Sequence, residues 1–194
     1  MDDVRYISPP KRLASISAAT NEAQFSMAST PLVGALLRTL AVSKPCGRFL
    51  ELGTGTGISA AWILDGMDSN SVLTSVDIDD VIQNVARHNL VNDPRITFVL
   101  SDGLEFLRSQ KSGSFDFVFA DAMPGKYEGL EEALRVVKPG GFYVIDDMLP
   151  QESWPEGHAA KVPVLMEQLS DHPNFEVLPL VWASGVVVAV RKSA

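Results

Sequence analysis

Two adjacent acids, Asp146 and Asp147, follow an apolar run in "FYVIDDML". Side by side they repel each other unless a cation sits between them or water covers both. A third acid, Asp121, ends a similar run in "FDFVFAD". Hard oxygen donors of this kind suit Mg²⁺, Ca²⁺ or Mn²⁺ rather than zinc, and the sequence offers no His/Cys cluster beside them. Two groups able to take a proton lie nearby in sequence. They are Lys126 in "DAMPGKYEG" and His158 in "SWPEGHAAKV". A lysine becomes a base when a neighbouring positive charge and partial burial depress its pKa.

A different chemistry resides in "FLELGTGTGISAAW". An apolar strand carrying Glu51 runs into Gly53, Gly55 and Gly57, and small residues then open a helix. Glycines at such a corner let the backbone fold tightly and approach a ligand closely. The next strand ends in Asp77, placed to reach ribose hydroxyls, so the pattern predicts a nucleoside-type ligand. Position 58 is Ile58, where the dinucleotide fingerprint needs its third glycine, which counts against a nicotinamide cofactor. Asp102 in "LSDG" reads as an N-cap that is also able to meet an adenine edge.

The elements that must position these residues alternate. Apolar runs at 48–52, 71–77, 96–100, 115–121 and 141–147 read as strands, with helices predicted over 58–65, 79–90, 103–110 and 127–137. In "STPLVGALLRTL", Thr30 suits an N-cap and Pro31 the first helical position. Regular βαβ alternation predicts a doubly wound, mostly parallel α/β sheet. "NFEVLPLV" and "GVVVAVRK" are joined only by "WASG", too short for a parallel crossover, so a C-terminal antiparallel hairpin closes the sheet. Residues 1–26 read as an arm or short helix leading into one domain spanning 1–194.

The 194 residues carry a formal charge of −8, with 46% apolar and 21% charged residues and a single cysteine. That balance suits a globular chain and lacks the basic footprint of a nucleic-acid binder. Cys46 cannot form a disulfide within the chain, and a reducing cytoplasm is the expected setting. The N-terminus shows no apolar segment of a secretory signal, and no run approaches the roughly 18 apolar residues of a membrane span.

"LELGTGTG", "SVDID", "FDFVFADA" and "VKPGGFYVIDD", in this order, resemble class I S-adenosylmethionine (SAM) methyltransferases. The closer resemblance is to the cation-dependent O-methyltransferases of the catechol and caffeoyl-CoA type, over roughly residues 27 to 192. It implies a Rossmann-like seven-stranded sheet with one antiparallel strand in the terminal hairpin. It also implies SAM as cofactor, held by Met27, Ser29, Glu51, Gly53, Thr54, Gly55, Gly57, Ser59, Asp77 and Ile78. Ser101, Asp102 and Gly103 would face the adenine, and Asp121 would border cofactor and metal. Mg²⁺ or another divalent cation would sit on Asp121, Asp146 and Asp147, polarising a hydroxyl of a small-molecule acceptor, with Lys126 or His158 as base. A homodimer is a further implication. Two departures stand out. The family has Asn where Asp147 stands, and its lysine lies three residues after the metal-binding aspartate rather than five. The alternatives are an RNA-modifying methyltransferase, which would need a basic stripe around the pocket, and a SAM-binding domain without catalytic activity.

Overall fold

A computed structural model describes residues 4–151 and 154–193 of the chain. The first three residues of the predicted arm, and Glu152 and Ser153 in the loop before His158, lie outside the described residues. Seven strands form one sheet: β1 (Arg48–Leu52), β2 (Val72–Asp77), β3 (Ile96–Leu100), β4 (Phe115–Ala120), β5 (Val137–Ile145), β6 (Phe175–Leu180) and β7 (Val186–Arg191). Their order is β3-β2-β1-β4-β5-β7-β6. The first five are parallel, and β7 runs antiparallel to both β5 and β6. The predicted doubly wound sheet with one reversed strand is therefore the observed one.

Its central strands read as unbroken apolar runs because helices cover both faces. Phe49, Phe117, Phe119 and Val144 belong to one packed layer, while Leu50, Leu52, Val118, Ala120 and Ile145 belong to the other. The first layer receives α1 (Leu13–Glu22) through Ile16, α2 (Pro31–Val42) through Val33 and Leu37, and α3 (Ile58–Gly66). Helix α3 is buried from Ile58 to Leu64, including Trp62, which explains its lack of a polar face. At α2, Thr30 accepts a hydrogen bond from Val33 N and Pro31 stands at the first turn, as the sequence predicts. The other layer is completed by α5 (Gly103–Ser109), α6 (Leu130–Val136) and α7 (Lys161–Ser170). Between β2 and β3 lies α4 (Asp80–Leu90), whose N-cap is Asp79.

Two starts differ from the sequence reading by three residues or more. Helix α6 starts at Leu130 rather than 127, because residues 123–128 form a turn closed by Tyr127 N and Glu128 N on Met123 O. Strand β5 starts at Val137, absorbing "KPGG", with a register shift against β4 between Phe115 and Phe117. Strands β4 and β5 end at Ala120 and Ile145, so Asp121, Asp146 and Asp147 stand in the loops just beyond. Among the described residues no helix is long and apolar enough to cross a membrane.

Candidate active site

Strand order reverses between β1 and β4, and in an open α/β sheet the crevice beyond that switch point binds ligands. Both halves of the predicted chemistry meet there. Gly53 sits at φ 96°, and a Cβ added to it would lie 2.8 Å from the carbonyl oxygen of Asp121. Only glycine allows the loop after β1 and the residue after β4 to come so close. Asp77 fastens the loop from the other side. Its carboxylate accepts from Gly55 N at 2.8 Å and from Asp79 N at 3.0 Å.

Beneath the loop runs a buried polar chain. Ser75 Oγ donates to Glu51 Oε2 at 2.5 Å, which leaves Thr54 Oγ1 to donate to Ser75 at 2.7 Å. Gln83 Nε2 donates in turn to Thr54 Oγ1 at 3.0 Å. Glu51 is fully buried, and among the described residues its Oε1 has no hydrogen-bond partner. Burial is the main cause that pushes its carboxyl up to about 7, against the lowering effect of Ser75 and Ser59, with Asp77 adding repulsion.

Two cavities open on this edge. The first, of about 260 Å³, is lined by Met27, Ser29, Gly53, Thr54, Gly55, Ser59, Asp77 and Asp121 among the predicted residues. Phe25, Thr56, Asp79 and Ile82 also line it. The second, of about 310 Å³, has Asp121, Lys126, Asp146, Asp147 and His158 in its wall together with Tyr127, Gln151, Trp154 and Ser184. Met27, Ala28, Ser29, Asp121 and Ala122 belong to both walls. The cavities therefore adjoin, with Asp121 between them.

Several predicted cofactor contacts lie off the first cavity wall. Gly57 packs its backbone on α4, where an added Cβ would meet the Ala86 Cβ at 2.8 Å, so this glycine serves helix packing. Gly103 is likewise pressed against Pro124. Asp102 spends one carboxylate oxygen capping α5, accepting from Leu104 N at 2.9 Å and Glu105 N at 3.0 Å. Ser101 Oγ donates to the Asp102 carbonyl. Ile78 is 72% exposed and lines neither cavity, and Glu51 lies beneath the loop.

The second cavity departs most from expectation. Lys126 is only 3% exposed, and its Nζ donates to the carbonyl of Asp146 at 2.6 Å and of Asp147 at 3.2 Å. Burial pulls its pKa down, opposed by Asp121, Asp147 and Asp146. The carboxyl of Asp121 is pushed well up, first by burial and then by Asp146, and Ser29 Oγ donates to it at 3.3 Å. Asp146 Oδ1 accepts from Ser184 Oγ and from Asp147 N. Asp147 has a left-handed backbone at φ 61°, and its Oδ2 accepts from Trp154 Nε1 at 2.6 Å. Among the described residues no group of three or more His, Cys, Asp or Glu is arranged to hold a metal. The acids gather as predicted but do not fit a divalent cation. The Lys126 ammonium beside them is anchored on the carbonyls of Asp146 and Asp147, and each of the three carboxylates accepts from a neighbouring side chain, Ser29, Ser184 or Trp154.

His158 Nε2 lies 3.2 Å from Tyr127 Oη, and its ring stands 4.4 Å from Trp154 and 5.0 Å from Tyr127. Desolvation and then Lys126 lower its pKa. Tyr127 is pushed up to about 12, chiefly by burial. Together these rings form an aromatic wall over the acids.

Phe25, Tyr127 and Ser184 went unrecognised in the sequence. Phe25 belongs to the arm, Tyr127 to a turn read as helix, and Ser184 to the hairpin link. Nothing in their spacing reveals that three remote segments meet.

Comparison with known proteins decides the family. A methyltransferase-domain model matches residues 50–148, half of the chain. The chain belongs to the methyltransferase-domain family. A provisionally named O-methyltransferase from Mycobacterium sp. strain JLS is 33% identical over 123 residues, 61% of this chain and 56% of the relative. The chain spans little more than half the length of the first such curated relatives. Among solved structures, cofactor-bound Rv0187 from MTB superposes with a TM-score of 0.85 at 23% identity, over 99% of this chain and 94% of that one. An O-methyltransferase from Bacillus cereus in complex with SAH (S-adenosylhomocysteine) gives 0.83 at 21% identity, over 98% and 94%. At such identities the likeness is one of fold.

Proposed function

We propose that the protein transfers a methyl group from SAM to a hydroxyl of a small, flat acceptor. The observation that carries this reading is the shared wall: a glycine-loop cavity and an aromatic-walled polar cavity adjoin at Asp121. The names of the relatives and the cofactors bound to the neighbours agree with it.

In this reading the first cavity holds the cofactor, with Asp77 on the ribose and the loop Gly53–Gly55 against the methionine portion. Tyr127, Trp154 and His158 sandwich the acceptor in the second. The acceptor oxygen forms a bond to the methyl carbon as the carbon–sulfur bond breaks, and that bonding pair leaves on sulfur. The hydroxyl proton passes to the Asp121 carboxylate, whose raised pKa makes it a stronger base than an ordinary carboxylate near neutral pH. Holding the two reactants at near-attack distance can lower the barrier by about 7–11 kcal/mol. The divalent cation implied by the resemblance has no part in this scheme, because among the described residues no group of acids is arranged to hold it.

The test is radiolabelled methyl transfer from SAM to a panel of phenols and hydroxylated heterocycles. Methylation of at least one member is expected, with an acid limb above the usual carboxylate range. Asp121→Asn should lower kcat about 100-fold or more, the scale of a lost general base. Transfer undiminished in that variant would contradict the assignment of the base. No transfer to any member, despite SAM binding, would favour the binding-only alternative.

A further inference from the structure

Lysine is almost never fully buried unless paired, and here the pairing is built from several sides. Relative to the resembling family, two extra residues separate Asp121 from its lysine, and in the structure Pro124 and Gly125 occupy the turn that results. Gly125 N donates to Glu128 O at 2.6 Å, and the Tyr143 hydroxyl donates to the Gly125 carbonyl. Gly125 itself sits at φ 84°, with an added Cβ 2.4 Å from Leu52. This turn packs down on β1 and carries Lys126 inward instead of toward solvent. On the opposite side Asp147 adopts φ 61°, and its carbonyl joins that of Asp146 in receiving Nζ.

We propose that the Lys126 ammonium, tethered to the carbonyls of Asp146 and Asp147 in the cavity wall it shares with the carboxylates of Asp121, Asp146 and Asp147, supplies the positive charge that a divalent ion would bring, so that cofactor and acceptor bind without metal. An ammonium has three donors and no acceptor. Two are spent on the carbonyls of Asp146 and Asp147, and one remains for the ligand. The acceptor is therefore gripped through a single oxygen, as in a phenol with one reacting hydroxyl, rather than through two neighbouring hydroxyls as on a metal. The inference rests on reading the second cavity as the acceptor site.

Calorimetry and Mn²⁺ electron paramagnetic resonance on the full chain test it, using SAH, Mn²⁺, phenol and catechol as probes. Wild-type protein should bind SAH equally with EDTA or with Mg²⁺ and take up no Mn²⁺ saturably. Lys126→Met, which removes the ammonium beside the acids, should gain one Mn²⁺ per chain. Lys126→Arg should remain indifferent to Mn²⁺, and supplies the comparison if the methionine variant does not fold. Stoichiometric Mn²⁺ uptake by the wild type that disappears in Asp146→Asn would overturn the proposal while leaving methyl transfer standing. So would a Mg²⁺-dependent gain of about tenfold or more in catechol affinity over phenol, a difference of about 1.4 kcal/mol. Indifference of Lys126→Met to Mn²⁺ would also overturn it. Failure of SAH to bind under every condition would instead remove the functional reading on which the inference rests.

Discussion

Replacing Glu51 by glutamine removes a charge that the fold can hold only at a cost. The carboxyl is fully buried, one of its oxygens lacks a hydrogen-bond partner among the described residues, and burial pushes its pKa up to about 7 from 4.5. The raised folded value means that the native state binds the proton more tightly than the unfolded chain. The resulting stability is fully present below pH 4.5 and is lost as pH rises toward 7. A difference of 2.5 units corresponds to about 3 kcal/mol, of which about 2.5 kcal/mol falls between pH 5 and 8. Glutamine keeps the shape and an oxygen for Ser75 but does not ionise. Urea denaturation of both proteins at pH 5, 6, 7 and 8 isolates the effect, because the two differ only in the side chain at position 51. Relative to wild type, Glu51→Gln should gain about 2.5 kcal/mol of stability on going from pH 5 to 8, with unchanged m-values. A difference that is flat with pH, or that falls, would refute the account of a buried, poorly solvated Glu51.

Other substitutions probe the two cavities separately. Gly53→Ala should cost about 1–3 kcal/mol of stability in thermal unfolding and weaken SAH binding, because it combines φ 96° with a Cβ 2.8 Å from the Asp121 carbonyl. Gly57→Ala should destabilise through its clash with Ala86 while shifting SAH affinity less than Gly53→Ala does, since Gly57 faces α4 rather than the cavity. Trp154→Phe should cost about 1 kcal/mol, the net worth of its hydrogen bond to Asp147, with SAH calorimetry unchanged because Trp154 lines the second cavity alone.

The strands were legible because burial on both faces writes continuous apolar runs, and the hairpin because four residues cannot carry a crossover. The loop after β1 was legible because closely spaced glycines between strand and helix have few other uses. Their separate roles were not, since Gly53 and Gly57 look alike in sequence and only the packing of α4 distinguishes them. The acids at 121, 146 and 147 were correctly brought to one edge by the parallel topology. The burial of Lys126 beside them was not legible. Whether Lys126 reaches inward depends on the turn around Pro124 and Gly125 and on the left-handed backbone of Asp147, neither of which follows from a periodic pattern. Ser184 joins Asp146 from a segment 38 residues away, a contact made by tertiary folding alone.

The central claim is that the crevice between β1 and β4 holds a sulfonium nucleoside against the carboxylate of Asp77. Isothermal titration of SAH into wild type and Asp77→Ala tests it most directly. One SAH per chain is the predicted stoichiometry, with affinity reduced about tenfold or more when the charged hydrogen-bond acceptor is removed. Absence of saturable heat in the wild type, or equal affinity in the two proteins, would contradict it.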